Sequence, residues 1–234
     1  MTDQEKLDML DTMNRTEAPK NIDLKGQRLD LFDIRFPTPI TSTSAGFKPK
    51  IDWVRGLISD RFQSIIGLRR IFKEGFLPPP KPSIFSLLTL SSPALSNTAL
   101  SLYSSMNQAL SRGDVRALEK ACSEEQYDKL RAQIRSRPKG QTIEWKMDEK
   151  NSKATVLSMR CLDVWGTNRP EDFVAQVLVS FDTKQSIAVY GPGGKLISGD
   201  PNKVVRVREH LLLEKKGWES FSDWTIRKQM HRSS

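Results

Sequence analysis

The feature that most constrains this chain is a change of hydrophobic period at Gly140. Before it, apolar residues recur at helical spacing; after it, they alternate. Leu95, Ala99, Leu102, Tyr103, Met106, Ala109 and Leu110 line one face of a helix that stops at Gly113, a residue able to take the left-handed conformation. Asp114 is placed to cap the next short helix, which turns Ala117, Leu118 and Ala121 inward. Ser123 and Gln126 form a capping box for a third helix carrying Tyr127, Leu130 and Ile134, and Pro138 with Gly140 ends the helical half. From Ile143, alternation with Trp145 and Met147 predicts a half-buried strand, Asn151 and Ser152 a turn, and 154–165 a second strand. Phe173, Ala175, Val177, Val179 and Phe181 share one face of the next strand, with a bend or bulge at 182–184 before alternation resumes as far as Tyr190. GPGG turns the chain, Val205 to Leu213 forms a further strand, and Trp224 with Ile226 opens the last. Helices followed by a run of antiparallel strands predict an α+β fold, with the helices packed on one side of the sheet.

The region before this domain reads differently. Residues 1–46 are polar and lack sustained periodicity, as an extended arm would. Residues 47–82 hold a basic amphipathic helix and a proline-rich spacer. In that helix Ile51, Val54, Ile58, Phe62, Ile65 and Phe72 share a face, and LPPPKP ends it by removing amide donors. Residues 83–234 form the α+β domain.

Charge sets the partner class. The 37 Lys and Arg exceed the 28 Asp and Glu by nine, so the surface attracts polyanions such as RNA or acidic lipid headgroups. The candidate phosphate-binding residues are Lys48, Lys50, Arg55, Arg69, Arg70 and Lys73 in the first helical region, with Arg131, Arg135, Arg137 and Lys139 near the end of the third domain helix. Arg135 and Arg137 also suit a helix C-terminus by charge alone. No apolar run is long enough to cross a bilayer, so membrane contact is expected to be peripheral.

Catalytic and metal signatures do not assemble. GPGGK lacks a phosphate-loop pattern, with Val189 in place of the first glycine and Leu196 in place of Ser or Thr. His210 and His231 have no metal-ligand spacing, and Cys122 and Cys161 fall in apolar patterns as buried thiols. No cofactor, metal or small-molecule substrate is expected. The enzyme alternative would need an apolar cone between helices and sheet, with Asp163 as its carboxylate and Tyr103 as helper; the competing reading has Asp163 pointing to solvent near the strand end or bonding the adjoining turn.

Two stretches, ALSLYSSMNQALSRGDVRALEKACSEEQYDKLRAQI and WESFSDWTIRK, resemble the curved α+β domain of the nuclear-transport-factor superfamily and of the membrane-anchor subunit of the mitochondrial import motor. The likeness spans roughly residues 93 to 230. QVLVSFDTKQSIAVY, from Gln176 to Tyr190, is similar to the strand and bend of the fungal inner-membrane mitoribosome receptor and the related large-subunit mitoribosomal proteins. That resemblance implies a non-catalytic protein in the matrix, peripheral on the inner membrane. It would hold the large mitoribosomal subunit, through rRNA and proteins near the exit tunnel, beside the membrane insertion machinery. The alternative within the resemblance is an import-motor-like anchor that binds lipid and a chaperone. MTDQEKLDMLD departs from an Arg-rich matrix-targeting segment, which implies a preceding leader or another import signal.

Overall fold

The computed structural model describes residues 32, 34, 36, 47–77, 92–219 and 223–231, with backbone alone for 47–53. The remainder of the predicted arm and most of the proline-rich spacer lie outside the described residues. Among the described residues, four α-helices pack against a curved, unclosed antiparallel sheet of five strands. The helices are α1 (Phe47–Lys73), α2 (Pro93–Arg112), α3 (Val115–Ala121) and α4 (Glu124–Arg135). The strands are β1 (Thr142–Asp163), β2 (Phe173–Tyr190), β3 (Leu196–Gly199), β4 (Val205–Lys216) and β5 (Thr225–Met230). Their order is β1-β2-β4-β5, with β3 also paired to β2. The α+β layout is the one the change of period predicts.

Local chemistry sets most boundaries. The Ser92 hydroxyl accepts from the Leu95 amide at 3.3 Å, and Pro93 occupies the first turn, where no amide donor is needed. Gly113 closes α2 at φ 72°, and the Asp114 carboxylate accepts from the Ala117 amide at 3.0 Å to begin α3. The capping box expected at Ser123 does not form. Ser123 does begin α4, but its hydroxyl donates to the Arg227 carbonyl at 3.1 Å and its amide to the Ile226 carbonyl at 2.9 Å. Those two bonds stitch the helix to β5 in place of a local cap.

The turn expected at Asn151 and Ser152 is a bulge inside one continuous strand. Between Asp148, opposite Lys184, and Lys153, opposite Asp182, β1 advances five residues while β2 advances two. The Asp148 carboxylate accepts from the Asn151 side-chain amide at 2.7 Å and its backbone amide at 3.3 Å. Ser152 donates to the Asp148 carbonyl at 2.6 Å and accepts from the Lys184 amide at 3.2 Å. Turn-forming side chains thus gather the surplus residues without ending the ladder. β2 runs unbroken, so the irregularity expected at 182–184 lies on its neighbour.

Both faces of the sheet are buried at its centre. On the helix side, Leu95, Tyr103, Leu118, Val177, Val179, Phe181, Leu211 and Leu213 are almost fully enclosed; each such side chain contributes roughly 1.5–3 kcal/mol. On the other side, Val174, Leu178 and Leu212 surround Gln176, Glu214 and Arg227, and the Gln176 amide donates to Glu214 at 2.7 Å. Arg227 also bonds Glu214. Phe32 reaches this face, its amide donating to the Gln176 side-chain carbonyl at 3.1 Å, and the Phe36 ring stands edge-on to His210 at 5.0 Å.

Candidate functional site

α1 lies along the open edge of β1. The Ser64 hydroxyl accepts from the Met159 amide at 3.2 Å, and the Arg70 guanidinium donates to the Cys161 carbonyl at 3.3 Å. These are backbone groups that an edge strand leaves without a strand partner, and α1 supplies one for each. Arg160, largely buried, forms an ion pair with Asp60 and donates to Ser64 at 3.2 Å. Gly67 allows the approach: a Cβ there would stand 3.3 Å from the Cys161 nitrogen and the Met159 oxygen. Leu68 and Ile71 then enter the core.

This is not the face the apolar spacing predicts. Ile65 and Phe72 pack against the core, but Val54, Ile58 and Phe62 are exposed by 43%, 63% and 63%, with Leu57 and Ile66 exposed beside them. At about 100° per residue, Phe62 projects roughly opposite to Ser64, Leu68 and Ile71. The helix is amphipathic, and much of its apolar stripe points away from the domain.

The candidate basic residues fall into two separate groups. Arg55 and Arg69 are exposed on α1, and Lys73 is exposed beside Glu74 at 3.5 Å. The Arg70 side chain lies over the Phe173 ring at 5.7 Å while bonding Cys161, so its guanidinium is engaged within the fold. The side chains of Lys48 and Lys50 lie outside the described residues. At the other cluster, Arg135 and Lys139 are exposed and Arg131 lies over the Tyr127 ring at 5.6 Å. Arg137 donates to the carbonyls of Ser111, at 3.0 Å, and Leu110, closing the end of α2; burial holds its pKa below the usual arginine value. α1 packs on β1 whereas α4 packs on β5, the opposite edge of the sheet. Among the described residues, the two groups therefore do not join into one continuous basic footprint.

A third charged group was not singled out from the sequence. Antiparallel register brings Arg208 opposite Asp182 and Arg206 opposite Lys184 on the outer sheet face. Asp182 pairs with both arginines; mainly through its hydrogen bonds from Arg206, its carboxyl pKa is held down at about 2. The signal was present in the alternation of D-x-K in β2 against R-x-R in β4, but it appears only when the strands are put in register.

The other residues of FDTKQ face inward and build a cone. Phe181 stacks on Tyr103 with centroids 4.7 Å apart, and Gln185 donates to the Tyr103 hydroxyl at 3.2 Å while accepting from the Trp145 indole. The Tyr103 hydroxyl donates to Glu209 at 2.6 Å; burial first, then this carboxylate, raises its pKa far above the usual value. The cone opens into a cavity of about 710 Å³ lined by Tyr103, Trp145, Ile187, Val205, Val207 and Glu209. The carboxylate bonded to Tyr103 in it is Glu209, where the enzyme alternative placed Asp163. Asp163 accepts from the amides of Trp165, Gly166 and Asn168 at 3.0, 2.7 and 2.6 Å, so it organises a turn. Cys122 and Cys161 are buried, and burial pushes both thiols up to about 12.

No helix among the described residues is long and apolar enough to cross a membrane, and no group of three His, Cys, Asp or Glu converges there as a metal site would require. No curated protein matches the sequence. Among solved structures, the intermembrane space region of the chloroplast protein ARC6 is 14% identical and aligns over 59% of this chain and 96% of its own, with a TM-score of 0.36, too low to support any argument. The Tim44-like domain matches residues 90–229, more than half of the chain. Such domains are non-catalytic, anchor-type units associated with the mitochondrial inner membrane. With its helices on a curved sheet and that match across the whole α+β region, the chain belongs to the Tim44-like domain family.

Proposed function

We propose that this chain attaches the large mitoribosomal subunit to the matrix face of the inner membrane near the tunnel exit, assisting insertion as proteins are synthesised. The observation that carries the reading is the divided character of α1. One side is bonded to β1, while Val54, Ile58 and Phe62 face outward with Arg55 and Arg69 close by. An exposed apolar stripe with cations interspersed on the same face suits the boundary between headgroups and acyl chains. Exposed Arg135 and Lys139, at the other end of the domain, are available to rRNA phosphates. Phosphate contacts of this kind release counterions, so ribosome attachment weakens as salt rises.

Sedimentation of mitochondrial lysate at low and high salt tests this directly. Comigration with large-subunit markers at low salt, diminished at high salt, is expected. Arg135→Glu with Lys139→Glu should release the chain from ribosomes and leave liposome flotation unchanged. Absence from ribosomal fractions at low salt overturns the proposal. The exposed stripe also favours a second reading, a lipid-bound anchor for a chaperone, as in the import motor. Flotation combined with chaperone capture in ribosome-free extract would distinguish it.

A further inference from the structure

We propose that the cone cavity binds an organic cation carried on an apolar stem, an alkylammonium or alkylguanidinium. Four observations lead there. The cavity, about 710 Å³, is of the size that encloses a small ligand, and its walls at Trp145, Ile187, Val205 and Val207 are aromatic or aliphatic. Glu209 lies among them as the acceptor. One of its oxygens takes the Tyr103 hydroxyl at 2.6 Å; among the described residues the other meets the Gln229 amide alone, at 3.5 Å.

The third observation is a contrast with other carboxylates. Asp60, Asp172 and Glu214, each buried or half-buried, hold Arg160, Arg169 and Arg227. Among the described residues, no basic side chain forms an ion pair with Glu209, although the chain has 37 Lys and Arg. The fourth is local charge. Asp200 also lines the mouth and Lys203 opposes it, so with Glu209 the lining is net negative by one, in a chain whose net charge is +9. A cation approaching elsewhere meets repulsion, whereas at Glu209 it meets a carboxylate and the rings of Tyr103 and Trp145, which also attract positive charge. The stem would lie on Ile187, Val205 and Val207. Lipid phosphate is disfavoured at the same place by Glu209.

Two sources share this chemistry: a free amphiphilic amine, and a lysine or arginine side chain of a polypeptide. Isothermal titration calorimetry on the full chain, using octylammonium, octanoate and the tripeptide amide acetyl-Leu-Lys-Leu, tests the site and separates them. Octylammonium is expected to bind saturably and octanoate not to bind. Glu209→Gln keeps an acceptor for Tyr103 and should weaken octylammonium about tenfold or more. Ile187→Ser, at a half-exposed wall position, should weaken it about threefold through the lost apolar contact. Tighter binding of the tripeptide than of octylammonium assigns the site to polypeptide side chains, and the reverse order assigns it to free amines. Equal affinity for octanoate, no saturable octylammonium binding, or affinity unchanged in both variants would overturn the proposal. Ribosome sedimentation does not enter the readout, so this result and the attachment role stand or fall separately.

Discussion

The two halves of α1 share one continuous helix and differ in what holds them. From Asp60 onward the helix meets β1 through a hydroxyl, an ion pair and a glycine, and only then through Leu68 and Ile71. Before Asp60, Val54, Leu57 and Ile58 are exposed. An open strand edge presents amides and carbonyls, so the helix face that best covers it carries small and polar groups. The apolar periodicity of Val54, Ile58 and Phe62 therefore marks a face that the strand edge does not use, while Ile65 and Phe72 reach the core.

Three changes would break or sharpen that division. The largest effect is expected from Gly67→Leu, whose Cβ would press on the backbone of Met159, Arg160 and Cys161. Despite leucine's better helix propensity, a loss of about 3 kcal/mol in denaturant unfolding should follow, with α1 lifted from the edge. Asp60→Asn comes next. It leaves the buried Arg160 guanidinium without its counter-charge and should cost about 2 kcal/mol by the same measurement. Smallest in stability is the triple change of Val54, Ile58 and Phe62 to Ser, expected to alter unfolding by no more than about 0.5 kcal/mol. That variant should nevertheless lose flotation with cardiolipin-containing liposomes. A large fall in stability from it would show that the outer stripe is part of the fold.

The helices and strands of the α+β domain were legible because each rests on a local cause: Gly113 in the left-handed conformation, Asp114 as a cap, alternation along β2. Asn151 and Ser152 carried a correct local preference with the wrong consequence. A bulge and a turn use the same side-chain bonds, and only the partner strand decides between them. Ser123 shows the same limit, since its hydroxyl reaches β5, more than a hundred residues away in sequence. The candidate site was legible in its charge but not in its arrangement. Arg70 and Arg137 read as surface cations, whereas Cys161 on β1 and the end of α2 occupy their guanidinium groups. Glu209 gave no sign in a strand of alternating charges, because its neighbours Tyr103 and Gln185 come from a helix and another strand.

The strand order has a consequence for spacing. α1 sits beyond β1 with its outer stripe turned away from the sheet, and α4 packs at β5, three strands across. With about 10 Å between helix and neighbouring element and about 4.8 Å per strand step, the α1 axis lies at most roughly 25 Å from β5, and whatever supports its outer stripe lies beyond that. If the proposed membrane and rRNA contacts both form, the width of the sheet sets the gap between them.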